Sequence, residues 1–153
     1  MFYKQGLLGE IYQIQSIGKT KAGWNTKFHL AVSEAGIESF CLSPGNHADS
    51  TYFNYLHGNI NNNYIRHIIA DKGYDSDAIR KYIRALGLIT VIPFRKNRKK
   101  KENISGLRYQ TPNIAERMFG RIKEFRRVAT RYDKLDSTFL SFIACAFIMI
   151  LFC

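Results

Sequence analysis

Residues 139–153 form a fifteen-residue run without a single charged side chain. Each large apolar side chain left in water forfeits about 1.5–3 kcal/mol, so a run like this must be covered. A helix that spans a membrane needs roughly 20 apolar residues, and this run is shorter. It is therefore expected to be a buried helix, with Ser141, Ala144 and Ala146 permitting close packing. A chain of 153 residues is about one domain and can build such a core.

The rest of the chain must supply the cover, and its pattern alternates between strands and helices. Residues 1–15 show no clear period and are expected to be an irregular N-terminal segment, with one short strand before residue 23. Residues 26–33 and 37–43 read as two strands, and Glu34, Ala35 and Gly36 leave room only for a hairpin turn. Asp49 or Ser50 is placed to cap a short helix that buries Tyr52, Phe53 and Leu56. Residues 65–70 form the next strand, which runs directly into Asp71. Asp75, Ser76 and Asp77 then cap a helix with Ile79, Tyr82, Ile83 and Leu86 on one face, and Gly87 stops it. Residues 88–93 make an apolar strand, 95–101 an exposed loop, and a long helix starts at Asn113. The order β-β-α-β-α-β-α-α predicts an α/β fold with one mixed sheet and flanking helices.

The net charge of +11 is concentrated in one stretch. Residues 94–131 hold thirteen Lys or Arg against three acids, including Arg95, Lys96, Arg98, Lys99, Lys100 and Lys101 in one loop. Such a segment calls for a polyanion, either nucleic acid or an acidic membrane surface. Cys41, Cys145 and Cys153 have neither paired spacing nor nearby histidines, which speaks against a zinc site or a disulfide framework. All three lie in apolar runs and are expected to be buried thiols in a reduced, cytoplasmic setting. No signal peptide is recognisable.

Two acids could carry chemistry. Asp71 ends a buried strand, and ligands of open α/β sheets bind beyond the carboxyl ends of strands. On a helical projection, Ile114, Met118, Ile122, Phe125, Ala129 and Tyr132 form one apolar stripe. Glu116 falls on the far face with Gly120, Lys123, Arg127 and Thr130. Carboxylates suit Mg²⁺ or Mn²⁺, hard ions that prefer oxygen. Two such ions about 3.5–4 Å apart can activate a hydroxyl and stabilise the leaving oxygen of a phosphodiester. The four histidines share no metal-binding spacing, Ser33, Ser43 and Ser50 lack the glycine elbow of a hydrolase, and the glycines match no phosphate cradle.

The blocks Ile69-Ala70-Asp71-Lys72-Gly73-Tyr74-Asp75-Ser76 and Tyr109…Glu116…Lys123 resemble the DDE transposases of bacterial insertion sequences. Thr26-Lys27-Phe28-His29, the block 43–50, Val91-Ile92-Pro93 with Arg95, and the block 129–134 resemble them in the same order. The resemblance covers roughly residues 16–150. It implies an RNase H-like catalytic domain over 16–153, with Asp71 as the second catalytic acid and metal ligand and Glu116 as the third. It further implies Mg²⁺ or Mn²⁺ as cofactor, transposon-end double-stranded DNA as partner, and a homo-oligomer. Tyr109, Lys123, Arg127 and the cations of the 95–101 loop become the expected DNA contacts. The chain departs from the pattern at Pro112, where arginine is expected, and at the front, where Glu10 is the only acid before Glu34. The family's first aspartate is thus unmatched, which points to a truncated or frameshift-split reading frame. Two readings follow: a transposase domain that cleaves and transfers strands, or a DNA-binding remnant without chemistry. A membrane-surface protein is the third and weakest.

Overall fold

The pair Glu34 and Ala35 closes the hairpin that organises the first half of the fold. Strand β2 (Gly23–Ser33) pairs antiparallel with β3 (Gly36–Pro44), from Thr26 opposite Pro44 to Ser33 opposite Gly36. Gly36 has φ of 128°, a conformation that side chains strain to adopt, and so permits the tight turn. The short strand β1 (Gly18–Thr20) pairs with the start of β2. The computed structural model describes residues 15–60, 65–98 and 112–152.

A 3₁₀ turn at Asp49–Tyr52 leads into α1 (Phe53–Gly58), which buries Phe53, Leu56 and His57. The turn is entered from Ala48, whose side chain cannot cap it; Asp49 lies within the first turn and its carboxylate pairs with Lys27. Strand β4 (His67–Ile69) pairs in parallel with β5 (Ile89–Val91). Between them lies α2 (Asp77–Ala85), closed by Gly87 at φ 72°. The Leu88 N–H donates to the Ile83 carbonyl at 3.1 Å and the Gly87 N–H to the Arg84 carbonyl at 2.9 Å, the pair of hydrogen bonds that ends a helix on glycine. Ile79 and Ile83 are buried, whereas Tyr82 and Leu86 are 40% and 41% exposed, so the α2 stripe is narrower than its periodicity suggests.

The fold is mixed α/β as expected, but its strands form two separate ladders. One is three-stranded and antiparallel, the other two-stranded and parallel. Among the described residues no strand joins them.

The predicted long helix is also interrupted. Helix α3 (Pro112–Lys123) ends in 3₁₀-type bonds, Phe125 turns extended at ψ 104°, and a single turn α4 (Arg126–Ala129) follows. The break turns both Phe125 and Val128 onto the core formed with α5 (Asp136–Phe152). Packing overrides the local period here, and Tyr132 is left 62% exposed.

Two apolar clusters result. In the first, Ile122 of α3 and Phe139, Ile143, Ala146, Phe147 and Ile150 of α5 pack on Leu42 of the hairpin. In the second, Phe53, Ile79, Ile83 and Ile92 join α1, α2 and the end of the parallel ladder. Helix α5 thus buries one face only. Ile148, Met149, Leu151 and Phe152 are exposed, and so is Cys145, which corrects the expectation of wholly buried cysteines there; Cys41 is buried as expected. Cys153 lies outside the described residues. No helix among the described residues is long and apolar enough to cross a membrane.

Candidate active site

Asp71 follows β4 at the carboxyl end of the parallel ladder. Its backbone is extended, with φ −69° and ψ 160°, and its Oδ1 accepts the Lys72 N–H at 2.6 Å, which starts the 3₁₀ turn Lys72–Tyr74. The carboxylate is exposed and lines a cavity of about 430 Å³ together with Asp49, Lys72, Gly73, Arg95 and Lys96. Asp49 comes from the loop after the hairpin. A Cβ on Gly73 would lie 2.4 Å from Asp49 Oδ2, so the glycine leaves room for the Asp49 carboxylate to lie against the Asp71 turn. Lys27 Nζ holds the other Asp49 oxygen at 2.8 Å and also donates to the His47 carbonyl at 2.8 Å.

The sequence offers Asp49 or Ser50 as a helix cap, and in the structure Asp49 lines this cavity instead. Its meeting with Gly73 is a contact between segments 24 residues apart that no local pattern encodes. The only hint was its place after the 43–48 turn, beside His47.

A buried polar bridge fixes the Asp71 turn to the hairpin. His29 of β2 is 5% exposed and hydrogen-bonds Tyr74 Oη and Ser43 Oγ, both at 2.8 Å. Its ring stacks on Tyr52 at 4.9 Å, and the Tyr52 hydroxyl meets His47 Nδ1 at 2.8 Å. Burial lowers the His29 pKa below its ordinary value; Asp49 opposes this shift and Lys27 adds to it. Burial likewise pushes the Tyr74 hydroxyl well up, with Asp49, Cys41 and Asp71 adding to it. Both groups therefore stay uncharged near neutrality and act as fixed hydrogen-bonding posts.

The cations of the 95–101 loop divide into two kinds. Arg95 donates to the Lys72 carbonyl at 3.2 Å and the Gly73 carbonyl at 2.8 Å, clamping the turn that carries Asp71. Arg98, one of the expected DNA contacts, pairs with Asp75 at 2.8 Å and with Asp77, and so anchors its loop. Asp75 also accepts from Arg80 Nε at 2.9 Å and the Arg95 N–H at 2.8 Å, with 1% of its side chain exposed. Burial alone would raise the Asp75 pKa, but the Arg95 N–H, Arg80 and Arg98 more than offset it and the net shift is downward. Arg80 further donates to the Ile92 carbonyl at 2.7 Å and lies 4.3 Å over the Phe94 ring. Lys96 stays exposed at the cavity rim. Lys99, Lys100, Lys101 and Tyr109 lie outside the described residues.

Glu116 is exposed on α3 and is not part of the lining of the Asp71 cavity. Lys123 shares that helix and is exposed. Arg127 does not continue the same face, because α3 ends before it. Its guanidinium lies 3.9 Å over the Phe142 ring and pairs with Asp133 at 3.0 Å. Asp49 and Asp71 give the cavity two oxygen-rich ligands open to water, a donor set that fits a hard divalent cation. No group of three or more His, Cys, Asp or Glu side chains suited to a metal ion occurs among the described residues.

Comparison with known proteins bears directly on this site. Residues 68–153, which include Asp71 and Glu116, match the family model described as a transposase DDE domain. The chain is 30% identical over 130 residues to a Brucella ovis protein named as the candidate transposase for insertion sequence element IS6501. That alignment covers 80% of this chain and 96% of the relative. No solved structure matches the chain. A family model over more than half the chain, and a relative aligned along nearly its whole length, show that this chain belongs to the DDE transposases of insertion sequences.

Proposed function

We propose that this chain binds the ends of its element as double-stranded DNA and carries out metal-dependent strand cleavage and transfer, on an RNase H-like scaffold. One observation carries the reading: Asp71, at a parallel strand's carboxyl end, opens into a water-accessible cavity shared with a second carboxylate and rimmed by Lys72, Arg95 and Lys96. Acids would repel a phosphodiester unless a cation stood between them. Asp71 is the first ligand of such an ion, Mg²⁺ or Mn²⁺, with Asp49 beside it and Glu116 as the acid the family resemblance supplies. Bound divalent ions activate a hydroxyl and stabilise the leaving oxygen of a phosphodiester.

The chain's own residues do the positioning. The Arg95 guanidinium holds the Lys72 and Gly73 carbonyls, and the His29–Tyr74 bond holds the turn from the other side. Both restrict the directions in which the Asp71 carboxylate can point. Lys96 at the rim and Lys123 on α3 draw phosphates without reading bases. Lys99, Lys100 and Lys101 add sequence-independent, salt-sensitive affinity.

A second reading is favoured by one sequence observation: Glu10 is the only acid before Glu34, so the first acid of the family pattern has no match. In that reading the chain is a DNA-binding remnant without chemistry. Supercoiled plasmid separates the two. Nicking that requires Mg²⁺ and disappears in Asp71→Asn supports the enzyme. DNA retention without nicking at any Mg²⁺ or Mn²⁺ concentration supports the remnant.

A further inference from the structure

Another cavity lies between Ile17 and the start of β2 on one side and the loop after α4 on the other, with a volume of about 250 Å³. That is below the roughly 300–1,000 Å³ of sites for drug-sized ligands, and suits one small planar group. Its walls carry two aromatic rings that the fold leaves in water, Trp24 at 71% and Tyr132 at 62% exposure. Lys19 stands directly opposite Trp24 across the ladder and so shares its face, and Lys134 also lines the cavity.

The loop holding Tyr132 is rigidly tied. Arg131 donates to Thr26 Oγ1 and to Asp136 Oδ1, each at 2.7 Å, and to the Asp133 carbonyl at 2.9 Å. Asp133, whose side chain is nine-tenths buried, spends one oxygen on Arg127, while its Oδ2 has no hydrogen-bond partner. Asp133 lines this same cavity, although its Oδ2 is closed to solvent.

We infer that this cavity holds an unpaired nucleobase of bound DNA. Its flat face stacks on Trp24 or Tyr132, and its backbone phosphates run past Lys19 and Lys134. Aromatic rings beside an acid could also cage an organic cation, but the flanking lysines and the net charge of +11 repel one. A base brings a π-face and the anionic backbone that those lysines attract.

This inference rests on the DNA-binding reading above, and the test separates the two. Trp24 is the only tryptophan, so its fluorescence reports on this site alone. The full chain is titrated with a blunt duplex and with the same duplex bearing a short single-stranded tail. The expected result is quenching of Trp24 by the tailed DNA and tighter binding of it. Tyr132→Ala, an exposed position that should not disturb folding, then weakens tailed binding by roughly fivefold or more, the lower end of a base–aromatic stack, and leaves blunt-duplex affinity unchanged. Blunt duplex that binds while the tail adds neither affinity nor quenching overturns the nucleobase site and leaves the DNA-binding reading standing. Failure to bind either DNA overturns both.

Discussion

The two halves of the molecule are held together by different physics. The hairpin, α3 and α5 meet in an apolar cluster in which Ile122 and Ile143 are 1% and 0% exposed. The half that carries Asp71 has its own small apolar cluster, but its loops are pinned by charge: Asp75 gathers Arg80, Arg98 and the Arg95 N–H in one buried knot. Apolar packing tolerates small shifts of its members, whereas a buried carboxylate with three donors admits only one arrangement. The functional consequence is location. Arg95 is held by the knot through its backbone and holds the Asp71 turn through its side chain, so the site rests on the charge-pinned half.

Breaking the knot should have the largest effect. Asp75→Ala leaves the Arg80 guanidinium buried without its carboxylate, and chemical denaturation should show a loss of about 3–5 kcal/mol. Nicking activity should fall even at temperatures where the protein stays folded, since the Arg95 clamp loses its backbone anchor. In the other half, Ile143→Ala should cost about 3 kcal/mol through the lost side chain and the cavity it leaves. Once corrected for the folded fraction, that variant should retain its nicking activity. Equal activity losses in the two variants would erase the distinction between the halves.

A smaller effect sharpens the comparison at the bridge between the halves. The folded-state pKa of His29 lies below its ordinary value of 6.5, so the unfolded chain takes up a proton first on acidification. The His29 contribution to stability is therefore complete above that value and is lost as pH falls from it toward the folded pKa. Asp75, also depressed, loses its contribution only further down, below the ordinary carboxylate value of 3.8. Denaturation of wild type and His29→Asn across pH 7 to 5 should show the slope in wild type and a flatter line in the variant.

Sequence carried the local features well. The hairpin followed from its strand residues and Gly36, the end of α2 from Gly87, and the position of Asp71 from an apolar run that ends in an acid. What the sequence hid is tertiary. Arg98 reads as one more cation in a basic loop, and only its contact with Asp75, 23 residues back, makes it an anchor. Asp49 reads as a cap until Gly73 lies against it. The apolar period of α3 runs on through Phe125 to Tyr132, and periodicity cannot register a break that lets Phe125 and Val128 both pack on the α5 core. Helix α5 is apolar on all sides, so its sequence contains no signal for which face is buried.

The proposed chemistry requires the Asp71 carboxylate to hold a divalent cation in the cavity it shares with Asp49. Titration of the protein with Mn²⁺, with the free ion followed by electron paramagnetic resonance, tests this without relying on turnover. The expected result is a Mn²⁺ site from which Mg²⁺ displaces the ion, which Asp71→Asn abolishes while leaving the fold intact, and which Asp49→Asn weakens. Mn²⁺ binding by Asp71→Asn equal to that of the wild type would contradict it.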